Sequence, residues 1–275
     1  MSSSIIHTRA LATLVALSAA CLPLAAAAKC GNDGAGFETW LGDFRKRASA
    51  AGISQATLDR ALAGVSYDPN VVRLDRSQKS FKLSFEEFYK RRVGSSLMNR
   101  ARQRLKTHAA LLDRIEGRFG VPREILVSIW GLETNFGSDG SGKHSIIRSI
   151  ATLAYDCRRP DFFTPHLMAA LRIVQKGDMT PEQMRGGWAG EIGQVQFLPG
   201  SYDKYAVDFD GNGRRDLVNS VPDMLASTAN YLKAHGWTKG AAWGPGTGNY
   251  AAIKEWNRAE VYARTIAVMG EQLAR

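Results

Sequence analysis

The chain has 275 residues, of which 44% are hydrophobic and 23% charged, and its formal net charge is +10. That size supports a full core without help from metals or cross-links, and the composition excludes a disordered or fibrous chain, leaving a globular protein of one or two domains. The positive balance suits an anionic polymer (cell-wall glycan, phospholipid headgroups or nucleic acid) and does not choose among them.

Residues 1–28 read as a cleaved signal peptide. His7 and Arg9 lie in the n-region, Ala10–Leu22 is an apolar run, and Ala26-Ala27-Ala28 offers small residues for cleavage before Lys29. The run is short for a bilayer span, and no other stretch is apolar enough, so an exported, periplasmic monomer without a transmembrane segment is expected. The alternative is an outer-membrane lipoprotein acylated at Cys21, although Ser18 stands at position −3, with the leucine one step too early. Without the leader, 35 basic and 26 acidic residues remain, a net +9. Cys30 and Cys157 are then the two cysteines left. In an oxidising compartment they either tie the new N-terminus to the body as a disulfide or remain separate thiols.

Phe37, Trp40, Leu41 and Phe44 predict an amphipathic helix within 37–51, and Ser54 caps a second short one to residue 63. Tyr67-Asp68-Pro69-Asn70 reads as a turn. Residues 75–93 mix charge with Phe81, Phe85, Phe88 and Tyr89, which line one helix face, and Lys90-Arg91-Arg92 reads as a solvated patch. A further helix covers 107–119.

Val121–Gly137, VPREILVSIWGLETNFG, carries a helix start at Pro122, with Leu126, Ile129, Trp130 and Glu133 on one face. Asn135 and Gly137 break the helix just beyond Glu133. Burial and the negative end of the helix dipole both disfavour an ionised carboxyl there, which are the conditions for a general acid near neutral pH. The competing reading turns Glu133 to solvent at a frayed helix end.

A Gly/Ser loop follows, then helices through Ile146–Leu153 and 162–175, and a short capped helix at Thr180–Gln183. The tract 186–199 resists a helical reading and suits a loop or short strands lining a cleft. Ser220 caps a helix running to about His235. Residues 240–248 form a loop, and Asn257 with Glu260 resembles a capping box for a last helix whose stripe is Tyr262, Ile266, Met269 and Leu273.

Asp208, Asp210 and Asn212, followed by Gly213, open like an EF-hand, because a hard cation needs several oxygens around a sharp turn. The end departs from that pattern. Position twelve is Asn219, so Asp223 is the residue that closes a longer loop, with Asp216 and the Arg214 carbonyl as further ligands. The alternative is a metal-free cluster of Asx turns.

Four blocks together resemble the lytic murein transglycosylase B family: IWGLETNFG (129–137), WAGEIGQVQFLPGSY (188–202), YAVDFDGNGRRDL with SVPDMLASTANYLKAHGW (205–237), and AIKEWN (252–257). The resemblance covers roughly residues 30–275. It implies an α+β, predominantly helical, lysozyme-like fold, with an N-terminal helical region (29–104) packed on a catalytic domain (105–275) that carries the calcium-type loop at 208–223. It also implies cleavage of the β-1,4 bond between N-acetylmuramic acid and N-acetylglucosamine in peptidoglycan, with a 1,6-anhydro ring left on the muramyl product.

By the same resemblance Glu133 is the catalytic acid and then base. Gln196, Phe197, Tyr231, Trp256 and Asn257 contact the glycan strand, no cofactor serves catalysis, and calcium is structural. Four positions depart from the family pattern. Gly187 replaces a serine, Trp256 a tyrosine, Cys157 a tyrosine, and Glu191 an alanine; for Glu191 a structural hydrogen-bonding role is favoured over that of a second cleft carboxylate. The alternatives are a hydrolytic muramidase and a non-catalytic, calcium-stabilised scaffold that gathers other cell-wall enzymes. Export and the lack of a recognition motif argue against nucleic acid.

Overall fold

The structure, a computed structural model, describes residues 30–77, 83–140 and 142–275. The leader with Cys21, and Phe81, lie outside the described residues. Helices dominate. In the N-terminal part α1 (Phe37–Ala50), α2 (Gln55–Ala61), α3 (Pro69–Arg76), α4 (Phe85–Arg92) and α5 (Ser95–Thr107) follow one another through short turns. Next come α6 (Ala109–Phe119), α7 (Arg123–Thr134), β1 (His144–Ser145), α8 (Ile146–Tyr155), α9 (Pro160–Lys176) and β2 (Arg185–Gly186). The chain closes with α10 (Pro199–Tyr205), α11 (Val221–Ala234), α12 (Gly248–Trp256) and α13 (Glu260–Leu273).

α7 is buried along most of its length. Ile125, Leu126, Val127 and Ile129 are fully buried, so this helix is apolar on nearly every side and packs against α5, α6, α11 and α13. Removing one such side chain, as in Leu126→Ala, costs about 2–5 kcal/mol because the cavity collapses only in part. α7 ends abruptly: Asn135, Phe136 and Gly137 all have positive φ, at 52°, 62° and 82°. Phenylalanine seldom adopts that conformation. Here its ring meets Trp130 edge-on at 5.4 Å and lies over Gly131, where an added Cβ would stand 2.7 Å from the ring.

α1 and α3 rest on α8, α2 on α9, α4 on α13, and α5 on α7 and α13. Phe37 packs edge-on against Tyr155 at 5.5 Å, and Cys30 is joined to Cys157 by a disulfide with a Cα–Cα distance of 4.9 Å. The sheet is small. β1 and β2 pair antiparallel, and bridges from Gly186 to Ile192 and from Ile192 to Phe197 turn the 186–199 tract into a folded strip.

Several local expectations change. Asp68-Pro69 is the start of α3, with the Asp68 carboxylate accepting the Asn70 N–H at 3.0 Å. Phe85, Phe88 and Tyr89 share one helix, α4, which begins behind a capping box between Ser84 and Glu87, after α3 has stopped at Arg76. Apolar spacing does not mark α5, α10 or α12. Thr180 and Gln183 bond each other's backbone and close a turn instead of a helix. The capping box at Asn257 is absent as well. Asn257 Oδ1 accepts the Ala259 N–H at 3.0 Å, while the Glu260 carboxylate is taken by Tyr250 and Lys254.

Candidate active site

α7 delivers Glu133 to the floor of a cleft of about 740 Å³. The αL residues after it turn the chain away at once, and Thr134 fixes that turn by donating to the Gln194 carbonyl at 2.6 Å and accepting the Gly137 N–H at 3.1 Å. Gln194 in turn accepts the Trp130 indole N–H at 2.9 Å and donates to the Val218 carbonyl at 2.9 Å, tying the end of α7 to the strip that forms the opposite wall.

The two oxygens of Glu133 have different surroundings. Oε1 accepts the Trp256 indole N–H at 3.0 Å and the Tyr262 hydroxyl at 2.9 Å. Oε2 has no hydrogen-bond partner among the described residues and is the oxygen left for the cleft. A proton on this carboxyl therefore belongs on Oε2, facing whatever the cleft holds. Burial pushes the Glu133 carboxyl above the ordinary glutamate range. The Trp256 and Tyr262 hydrogen bonds and the charge of Arg92 oppose that shift, and the charge of Glu191 adds to it.

Gln196, Phe197, Tyr231, Trp256 and Asn257 line the same cleft as Glu133. Gln196 sits at a positive φ of 55° and donates its amide to the Gly193 carbonyl at 2.8 Å, so its oxygen is left for a ligand. Asn257 has the opposite polarity: Ala259 holds its oxygen, and the amide nitrogen is left. Tyr231 donates to the Glu255 carbonyl at 2.7 Å, and burial pushes its hydroxyl pKa up to about 12. Phe197 is only 3% exposed and meets Tyr231 and Trp256 edge-on at 5.8 and 5.2 Å. It backs the aromatic wall, and Tyr231 and Trp256 are its half-buried outer members.

Two residues at this site were read differently from sequence. Tyr262 belongs to the apolar stripe of α13, where spacing alone makes it a core side chain; its hydroxyl is in fact a donor to Glu133. A tyrosine in an apolar stripe is itself a signal, since a buried hydroxyl needs a partner. Its basic run suggests a solvated patch for Arg92. Instead its guanidinium donates to the Leu132 carbonyl, and its charge reaches both Tyr262 and Glu133.

In the 208–223 loop, carboxylate oxygens of Asp208, Asp210 and Asp223 lie within 4.8 Å of one another. Asp208 gathers the N–H groups of Gly211, Asn212 and Gly213. Asp223, fully buried, accepts from Phe209, Asp210 and Asp216 at 2.7, 3.2 and 2.9 Å. Burial and the Asp210 charge push the Asp223 carboxyl up against those three amides. No ion pair among the described residues involves these aspartates, so the donor set of hard oxygens suits a divalent cation. Asn212 accepts the Arg214 N–H at 2.9 Å, and Asn219 donates its amide to Asp216 at 3.0 Å instead of closing the loop.

Residues 36–247 match the transglycosylase SLT domain family. The chain belongs to that family. It is similar to membrane-bound lytic murein transglycosylase B of Escherichia coli (strain K12), at 42% identity over 130 residues, which is 47% of this chain and 36% of that protein. The aligned segment thus spans little more than a third of that relative's length. Among solved structures it resembles SltB3 from Pseudomonas aeruginosa in complex with NAG-anhNAM-pentapeptide, with TM-score 0.80, 35% identity, and 86% of this chain and 79% of that one covered. It also resembles the Escherichia coli lytic transglycosylase Slt35 in complex with calcium, with TM-score 0.75, 25% identity, and 90% and 96% covered. The expected helical, lysozyme-like architecture of the lytic transglycosylases is therefore the one this chain adopts.

Proposed function

We propose that this protein is a lytic transglycosylase that cleaves the β-1,4 bond between N-acetylmuramic acid and N-acetylglucosamine in peptidoglycan, with Glu133 as its acid and then its base. The observation that carries the reading is the asymmetry of one carboxyl group. Oε1 is held by Trp256 and Tyr262, and Oε2 faces the cleft, where burial pushes the carboxyl above the ordinary glutamate range. Oε2 gives its proton to the leaving O4 as the C1–O4 bond breaks. The same oxygen then takes the proton of the C6 hydroxyl as that oxygen bonds to C1. The two proton transfers cancel and no water is consumed, so one carboxyl suffices where an ordinary glycosidase uses two. Membership of the family and the muramyl fragment held by SltB3 support the same assignment.

The Gln196 oxygen, the Asn257 amide and the faces of Tyr231 and Trp256 bind the amino sugars. Asp208, Asp210 and Asp223, with Asn212, Asp216 and the Arg214 carbonyl, would hold a calcium ion, whose part is to brace the loop in front of α11; the calcium-bound Slt35 structure supports that reading. Among the described residues no helix is long and apolar enough to cross a membrane. The protein works in the periplasm on glycan strands, exported by its leader, with neighbouring cell-wall enzymes as partners.

Mass spectrometry of products from purified peptidoglycan tests the assignment. Muropeptides lighter by one water than hydrolytic products are expected from the wild type, and none from Glu133→Gln. Hydrated ends would establish a muramidase, and clearing by Glu133→Gln would remove Glu133 from the chemistry.

A further inference from the structure

Gly187 and Glu191 occupy one another's space. A Cβ added at Gly187 would stand 2.1 Å from Oε2 of Glu191 and 2.9 Å from its carboxyl carbon. Gly187 has no positive φ, so backbone conformation does not require glycine there; what glycine leaves room for is the present position of the neighbouring carboxyl. The seat is built by a tight turn. The Gly187 N–H donates to the Glu191 carbonyl at 2.9 Å, the Gly190 N–H donates to the Gly187 carbonyl at 3.1 Å, and Oε2 accepts the Ala189 N–H at 3.0 Å.

No side chain hydrogen-bonds this carboxyl, and it joins no ion pair among the described residues. Nevertheless it is half-buried and lines the cleft that holds Glu133. The titratable groups that face it are Glu133, whose carboxyl its charge pushes up, and His144, whose charge favours its ionised form. Its own burial works the other way and holds it above the ordinary glutamate range. A carboxyl placed so is costly as mere packing, since a small apolar side chain would fill the turn without desolvating an acid.

We propose that Glu191 is a substrate-binding residue: its carboxyl, held by the Ala189 N–H and its own backbone N–H, accepts through Oε1 a further hydrogen bond from the amide N–H of an N-acetylated amino sugar in the cleft. A serine hydroxyl at 187 and a carboxyl at 191 share the capacity to accept that bond, and at 2.1 Å a side chain at 187 moves the carboxyl from its present seat. The departures at Gly187 and Glu191 are thus a single exchange of one acceptor for another. The inference rests on the proposed function, because it takes the cleft to hold amino sugars.

Calorimetric binding of a NAG-NAM-pentapeptide fragment tests it, measured in the Glu133→Gln background so that turnover plays no part. Glu191→Ala should bind about 10-fold more weakly, the loss of one charge-assisted hydrogen bond. Glu191→Gln should lose as much, since its one oxygen goes to Ala189 and an N–H₂ group then faces the ligand's N–H. Gly187→Ser alone should weaken binding by displacing the carboxyl, whereas Gly187→Ser combined with Glu191→Ala should return to within about 3-fold of the parent. That reversal of sign, with unchanged melting temperatures, is a result that a packing role does not produce. Parental binding by Glu191→Ala and Glu191→Gln, or a double variant no better than Glu191→Ala, overturns the proposal while leaving the assigned activity standing. Failure of the parent itself to bind the fragment overturns both.

Discussion

The cleft and the 208–223 loop solve the same problem, a carboxylate out of water, in opposite ways. Glu133 stands at the end of an apolar helix, and its donors are two side chains on a single oxygen, brought from residues 256 and 262. Asp208, Asp210 and Asp223 crowd together, and their donors are mostly backbone amides within a few residues of the loop itself. A carboxyl in apolar surroundings keeps a proton; crowded carboxylates wrapped by amides call for a cation. The residue type says little about either role, and the neighbours decide it.

The largest test of this contrast is Glu133→Gln, which keeps an oxygen for Trp256 and Tyr262 and removes the mobile proton. Turnover of peptidoglycan should fall at least about 1,000-fold with the fold intact by circular dichroism. In the loop the corresponding change is Asp223→Ala, which strands three amides. It should cost about 3 kcal/mol and lower the melting temperature by about 5–10 °C in a thermal scan.

Added calcium sharpens the comparison further. At about 100 times its dissociation constant it should raise the melting temperature by about 5–10 °C, and a chelator should reverse the gain, leaving the Glu133 titration where it was. No shift with either would remove the cation from the account.

Tyr262→Phe is a smaller change aimed at the cage around Oε1. The lost bond favours the charged carboxyl, so the Glu133 pKa should rise further. The alkaline limb of the pH–rate profile then moves to higher pH, and kcat falls about 10-fold as the base step weakens.

The smallest effect is on stability. The folded-state pKa of Glu133 lies above its unfolded value, so the protonated carboxyl contributes stability that is fully present below the unfolded pKa and lost as pH rises through the folded one. Melting temperatures of wild type and Glu133→Gln should therefore converge in acid and separate as pH rises, with the variant the more stable.

Much of this arrangement is legible in sequence where a local pattern carries it. The apolar spacing of Leu126, Ile129 and Trp130, followed by Asn135 and Gly137, marks both α7 and the carboxyl at its end. The spacing of Asp208, Asp210 and Asn212 marks the loop, and Asp223 is its nearest closing acid. What escapes is whatever depends on distant segments meeting. Periodicity places Tyr262 on a buried face and cannot say that the face looks at Glu133. Arg92, in a basic run, looks solvated until α4 packs on α13. The Asn257–Glu260 pattern fits a capping box, but Tyr250 and Lys254 claim the glutamate, and a one-dimensional pattern cannot show competition for a side chain.

The cage of Glu133 is assembled from distant parts of the chain. The carboxyl sits near the middle of the sequence, while both donors and the helix that covers it, α13, come from its last portion. A chain cut after residue 250 keeps Glu133 and loses both of its hydrogen-bond donors, so the conditioning of this carboxyl depends on side chains 123 and 129 positions further along.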